Sequence, residues 1–493
     1  MPHSSRRWLF GDHLGPHFLD DDDHPVVMIE SRAVFRRRRF HRQKAHLVLS
    51  AMRHRAAELG DRCTYIRTDG GYREALPEGP TTVCHPTSRG ALLLAESLPD
   101  VEVQGARGYA TPMADFRRWA DARKGRLLME DFYRDSRRRL DVLMDGTEPA
   151  GGRWNLDADN REPPPKGAER LEVSEPWWPT EDEIDDEVRR DLDRWEQDGD
   201  VSFVGNDGPR RFAATRAEAL EVLQGFVAGR LSTFGPYEDA MLADDDWMAH
   251  SLLSAPMNLG LLDPIEVVHA AEQAYRAGDA PLASVEGFVR QVMGWRDYVW
   301  HLYWYTDDSY KRGNALHAAT KLPKWFDDLD ADAVEARCLS DVLRGVRDHG
   351  WVHHIPRLMV LGNYAMQRGW RPQDVLDWFH RSFVDGYDWV MVPNAIGMSQ
   401  YADGGVMATK PYAGGGAYID RMSNYCGDCR YNPKKRVGDD ACPFTAGYWW
   451  FLERNRDALQ GNHRLAQPLA GARRLKDLEA VVEQEERRGS RAP

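Results

Sequence analysis

Four of the six cysteines fall in the C-terminal part of the chain: Cys338, then Cys426 and Cys429 as Cys-x₂-Cys, then Cys442. Two thiolates at that short spacing can ligate one centre from a single turn, and two more close a tetrahedral set. Zinc and a [4Fe–4S] cluster both satisfy the pattern; Cys442-Pro443 leans towards iron, because Cys-Pro ends ferredoxin-type cluster motifs. Cys63 and Cys84 lack such spacing and read as structural. His353-His354 places two imidazoles side by side, the group best suited to moving protons near neutral pH. His250-Ser251-Leu252-Leu253-Ser254 offers hydroxyls and backbone N–H groups at a helix start, which suits a pyrophosphate and equally a plain N-cap. Seventeen tryptophans supply buried area and stacking surface, and at suitable spacing could carry electrons.

These groups need a large scaffold. At 493 residues the chain exceeds what one hydrophobic core usually organises, which predicts two domains and a linker. The net charge of −13 excludes a surface that grips nucleic acid everywhere, yet leaves room for a local basic groove. Arg36 to Arg39, the densest basic run, reads as a solvated face. Met1 to Phe10 is short and polar, unlike a secretory signal, and no apolar run approaches the ~20 residues that span a bilayer. Six cysteines do not make a secreted disulfide framework, so the cytoplasm is the expected compartment.

Residues 1–135 alternate strand and helix. Trp8-Leu9-Phe10, Val26 to Ile29, Thr64-Tyr65-Ile66 and Thr82-Val83-Cys84 read as short buried parallel strands, and Lys44 to Leu59 as a helix between them. The expectation is a doubly wound α/β domain, without the Gly-x-Gly-x-x-Gly turn of dinucleotide binders. Asp12 and Glu30 stand at strand ends, where a ligand can bind or a carboxylate can cap a helix. Residues 136–211 form the linker, dense in proline and glycine from Glu148 to Pro179. Residues 212–493 read as an all-α domain, interrupted by a glycine-rich loop from Gly404 to Gly416.

Four blocks in order resemble the iron–sulfur bacterial photolyases and cryptochromes: Leu9 to Leu14 with Ser50 to His54, Gly151 to Asp157 with Asn160-Arg161, Met391 to Tyr418, and Arg421 to Cys426. The resemblance covers nearly the whole chain. It implies FAD in the helical domain, a [4Fe–4S] cluster on Cys338, Cys426, Cys429 and Cys442, and a 6,7-dimethyl-8-ribityllumazine antenna in the α/β domain, for which the strand-end Asp12 and Glu30 are the candidate site. It further implies a flavin pocket of Phe234, Gly235, Ser251, Leu253, Ser254, Arg296, Arg357, Asp385, Asp388 and Asn394, without saying which aspartate pairs with Arg357. Gln291 and Trp295 would face the lesion, with Asp297 where relatives carry Glu. His354 would donate the proton, with His353 as its partner. Trp378, Tyr412 and Tyr418 would pass electrons, and Phe379 stands where relatives carry the more oxidisable Tyr. The implied activity is light-driven electron transfer to a (6-4) pyrimidine photoproduct in UV-damaged DNA, by a monomer needing no membrane. A blue-light photoreceptor of the same family is the alternative, and a zinc-stabilised DNA-binding scaffold the reading from another class.

Overall fold

The computed structural model describes residues 5–20 and 23–493. Five parallel strands open the chain: β1 (Arg6–Leu9), β2 (Val26–Ser31), β3 (Cys63–Thr68), β4 (Thr81–Cys84) and β5 (Val101–Gln104), in the order β3-β2-β1-β4-β5. Leu9 pairs with Met28 and Ile29 with Ile66, so the apolar residues of neighbouring strands line up. All six residues of β2 are buried, as the central strands of a sheet covered on both faces must be. The order reverses between β1 and β4, and the crevice beyond their carboxyl ends is where open α/β sheets bind ligands.

The helix expected from Lys44 starts at Arg42, where His41 caps it by accepting from the Gln43 amide through Nδ1. The linker is irregular from Ala150 to Thr180, then forms the helix Glu183–Gln197, which returns to the α/β unit. Arg53, on the 42–59 helix, fixes it there by donating to both Glu30 and Asp191. Asp182 and Asp185 close a capping box at its start.

The rest is helical, with Gly404 to Gly415 free of helix and strand. Two cores meet here. One runs from the sheet through Phe226, Phe234 and Phe288; the other gathers Trp300, Trp370, Trp378, Trp389 and Phe444. Among the described residues no helix is long and apolar enough to cross a membrane.

Candidate functional site

Three stretches of the helical region wind as π-helices: Arg290–Arg296, Pro356–Gly362 and Val392–Ser399. A π-turn inserts an extra residue and is retained mostly where function uses the distortion. Together they carry Gln291, Trp295, Arg296, Arg357 and Asn394. The second and third press together at Gly362, where a Cβ would run into the Ser399 hydroxyl, and Gln400 donates to the Gly362 carbonyl at 3.1 Å. Nothing in the hydrophobic pattern signals a π-turn, so this convergence was not legible in the sequence.

Arg357 donates two hydrogen bonds to Asp385, at 2.8 and 3.1 Å, in the bidentate form that best fits guanidinium to carboxylate. Ser254, at the start of the helix Ser254–Asn258, adds a third at 2.7 Å, and Asn258 holds the Asp385 carbonyl at 3.0 Å. The choice between the two aspartates is thereby made. Asp388 instead meets His380 at 3.1 Å. Burial works against the Asp388 carboxylate, but His380, Arg38 and Lys44 override it and hold its pKa at about 2.

His353 and His354 adjoin this pair. His353 is buried and stacks on His250, with centroids 4.1 Å apart and planes 22° from parallel. His354, next in sequence, leaves more than a third of its surface uncovered, although protein surrounds its ring. Burial and then Arg357 push it down to about 4; burial and then Arg230 push His250 down to about 3. Both rings are neutral at pH 7. Phe234 packs edge-on to His250 at 5.7 Å, and the Ser251 hydroxyl accepts from the Leu253 amide at 3.4 Å. Gly235 lets its backbone approach Ser284 and Asn160 closer than any Cβ permits.

Arg296 reaches the seam with the α/β unit, donating to the carbonyls of Gly108 (3.1 Å) and Met257 (3.3 Å). It lies over the rings of Tyr109 and Trp389, and its Nε has no partner. Nε2 of His250, Nδ1 of His353 and the Tyr387 hydroxyl are also buried without partners. Buried polar groups are normally satisfied, and this set of unpartnered polar groups, with the Arg296 guanidinium among them, fits a polar, phosphate-bearing cofactor. The Asn394 amide donates to Val390 and leaves its oxygen available. Gln291 and Trp295 are partly uncovered.

Asp12 lies beyond β1 at the strand-order reversal and accepts from Thr87 beyond β4, placing it in the expected crevice. Glu30 is differently placed. Arg53 grips it at 2.7 and 2.9 Å and Tyr65 donates at 2.6 Å, so its oxygens are spent inside the fold.

Trp378 is fully buried and donates from Nε1 to the Phe326 carbonyl. Rings continue outward through Phe326 (4.4 Å), Trp370 (4.8 Å further) and the half-buried Trp325 (6.0 Å further). Trp370 and Trp325 were not singled out in the sequence. Tyr412 and Tyr418 lie apart from this row, near Asp239 and Arg161.

The four cysteines line one cavity. Cys338 opens the helix Arg337–His349, Cys426 lies in the turn Tyr425–Asp428, Cys429 follows it, and Cys442 caps the helix Pro443–Arg454. Gly416 admits the Cys442 sulfur, since a Cβ there would stand 2.7 Å from it. Burial, then the neighbouring thiols, raise the Cys338 thiol well above its usual range. Among the described residues, no three of these sulfurs lie within 4.8 Å of one another. One zinc ion with Zn–S bonds of about 2.3 Å would draw them to about 3.8 Å. The His54, Asp182 and Asp185 side chains are that close, but Asp185 is taken by Arg210 and Asp182 by its helix cap.

Residues 7–201 match the family described as deoxyribodipyrimidine photo-lyase-related protein. The chain is 39% identical to a "(6-4) photolyase" of Agrobacterium fabrum (strain C58 / ATCC 33970), covering 95% of each. In fold it is similar to a bacterial class III photolyase from Agrobacterium tumefaciens (TM-score 0.56, 13% identity, 99% of this chain and 96% of that one). It is also similar to a cryptochrome of Synechocystis sp. PCC6803 (TM-score 0.54, 12% identity, 81% and 83%). A relationship at that identity over nearly the full length, with the fold to match, leaves one assignment: the chain belongs to the photolyase–cryptochrome family, in its photolyase-related bacterial branch.

Proposed function

We propose that this DNA photolyase repairs (6-4) pyrimidine photoproducts, with His354 as proton donor. The observation that carries the reading is the adjacent imidazoles, His353 buried and His354 open, beside the Arg357–Asp385 pair, in a chain related over 95% of its length to a named (6-4) photolyase. Family membership implies FAD. When bound, FAD supplies the light-driven electron that breaks the lesion's bonds.

The chain's own residues do the rest. Ser254 opens the short helix Ser254–Asn258 and Ser251 lies in the turn before it, whose backbone amides suit a pyrophosphate. The Arg357–Asp385 pair gives the isoalloxazine a rigid polar edge, and Asn394 offers its oxygen from the third π-turn. Gln291 and Trp295 form the wall that receives an extruded dinucleotide, whose damage has already weakened its stacking. His354 carries no acidic proton in the free protein at pH 7, so to act as donor it must first take one from solvent, which the negative phosphates of bound DNA favour; His353, fixed by its stack on His250, orients it.

Four thiols lining one cavity, with the Cys442-Pro443 step, support a [4Fe–4S] cluster there in a member of this family. Asp12, in the crevice between β1 and β4, supports an antenna pigment there, with Glu30 contributing to the fold instead. The test is repair of a duplex oligonucleotide containing one (6-4) photoproduct, with and without blue light. Light-dependent return of the two pyrimidines confirms the reading. A flavin-loaded protein that repairs only cyclobutane dimers, or nothing, refutes it.

A further inference from the structure

Trp177-Trp178-Pro179 lies at the end of the irregular part of the linker, and no step of the repair reading uses it. Trp178 is nevertheless fixed in place. Its ring meets Trp247 edge-on, with centroids 5.0 Å apart, and the Arg211 guanidinium lies 4.9 Å over it. Trp247 in turn stacks on Trp351, at 5.3 Å and with the planes 20° from parallel. Trp351 stands at the pocket wall. His250 meets its ring at 6.5 Å, and the Arg357 guanidinium that grips Asp385 lies 5.9 Å from its centre. Three indoles therefore run in unbroken ring contact from the flavin pocket to the linker.

Burial falls along this row. Trp351 is 4% exposed, whereas Trp247 and Trp178 are only half-buried. An indole that has lost an electron is a cation, disfavoured in a dry core and favoured nearer water. Local charge adds to the slope. His349 packs on Trp247 at 5.1 Å and pairs with Asp246 at 3.1 Å, which keeps a carboxylate near the middle ring. Arg211 repels positive charge on Trp178, so the last ring holds the oxidised state only after shedding its N–H proton to water.

The row that starts at Trp378 is built differently. Phe326 separates Trp378 from Trp370, and a phenyl ring is far harder to oxidise than an indole, so an electron must pass it in one longer step. The two rows also lie in different cores, Trp351 in the one that runs from the sheet and Trp378 in the other. Removing a ring from one leaves the other in place.

We propose that Trp351, Trp247 and Trp178 form a second electron route, which reduces the flavin from a donor that meets the protein at the linker. Trp351 gives one electron to the light-excited, oxidised flavin; Trp247 refills Trp351, and Trp178 refills Trp247. Trp178 then releases its indole proton to water. A small thiol in solution restores it with one electron and one proton, and the sulfur radicals from two such events combine into a disulfide. The proposal rests on the flavin that family membership implies and is independent of which lesion is repaired.

The test illuminates flavin-loaded, oxidised protein with blue light, without thiol and with a nitroso spin trap, and locates the trapped residue by peptide mass spectrometry. Adducts are counted per bound flavin, which removes any difference in loading. The parent should carry the adduct on Trp178. Trp247→Phe should lose it, and Trp325→Phe, at the end of the other row, should keep it. Trp178→Phe, a change at a half-buried ring, should move the adduct to Trp247. A Trp178 adduct that survives Trp247→Phe, disappears in Trp325→Phe, forms equally in darkness or never forms in the parent overturns the second route and leaves the repair reading intact. Purified protein that holds no flavin overturns the reading of the pocket itself, and the route with it.

Discussion

Asp385→Asn should release the flavin, and Asp388→Asn should not. Asp385 accepts three hydrogen bonds, two from Arg357 and one from Ser254. Its side chain is 7% exposed and that of Arg357 14%. An amide retains one acceptor oxygen and turns an N–H towards a guanidinium that has nothing else to neutralise it. Removing one member of a buried pair costs about 3–5 kcal/mol. The surviving oxygen, and the Arg357 bond to the Val352 carbonyl, place the loss at the lower end, about 3 kcal/mol or a factor near 150. Asp388 is 42% exposed and its histidine partner is neutral when unpaired, so its replacement should cost under about 1 kcal/mol. The assay is the urea midpoint for release of bound flavin, read by the rise in its fluorescence, because a two-domain chain need not unfold in one step. Equal midpoints for the two variants, or a larger shift for Asp388→Asn, refute the assignment of Asp385 as the carboxylate that braces the pocket.

Further outcomes follow from the same geometry. His354→Asn should lower the repair rate about a hundredfold or more while flavin content is unchanged, measured by single-turnover repair under saturating light. Cys429→Ser should abolish iron and inorganic sulfide in purified protein and reduce the soluble yield; a stable, flavin-loaded variant without iron contradicts a structural cluster. Trp325→Phe should slow blue-light reduction of the flavin by thiol yet leave repair by dithionite-reduced enzyme intact, as Trp325 ends the buried row that starts at Trp378. His41 is held neutral: Nδ1 accepts from Gln43, Nε2 donates to Arg347, and burial lowers its pKa to about 4. Its contribution is complete above the unfolded pKa of about 6.5 and lost as pH falls towards 4, at most about 3 kcal/mol. His41→Asn, which keeps a cap, should flatten the stability profile between pH 6.5 and 4.

The strands were legible because buried parallel strands are short apolar runs, and Val26 to Ile29 could scarcely be anything else. The helix Glu183–Gln197 was not, since only Ile184, Val188, Leu192 and Trp195 mark its inner face among charged neighbours, just after a stretch whose prolines signal irregularity. The cysteine spacing pointed to a metal site, but that Cys338 joins the other three around one cavity is a tertiary fact. The pairing of Arg357 was hidden because Asp385 and Asp388 are three residues apart in one loop, and only the fold decides which faces the pocket. Glu30 shows the opposite hazard. A carboxylate at a strand end suits a ligand by position, yet Arg53 and Tyr65 claim it from elements distant in sequence.

The loop that carries Asp385 is also held from the other domain. Lys44, on the first long helix of the α/β unit, donates to the carbonyls of His380 (2.6 Å) and Gly386, at either end of the turn that presents Asp385. Burial lowers its pKa to about 7, so this contact costs desolvation that a merely decorative lysine would not bear. An α/β domain that served only to hold a pigment could be tethered loosely, whereas this one reaches the 380–386 turn and fixes its carbonyls. Lys44→Met, which keeps the apolar stem and removes the donor, should therefore loosen flavin binding although the residue lies outside the helical domain. If flavin affinity is unaffected, the α/β unit is a passenger to the pocket, and the two-domain architecture must be explained by pigment binding alone.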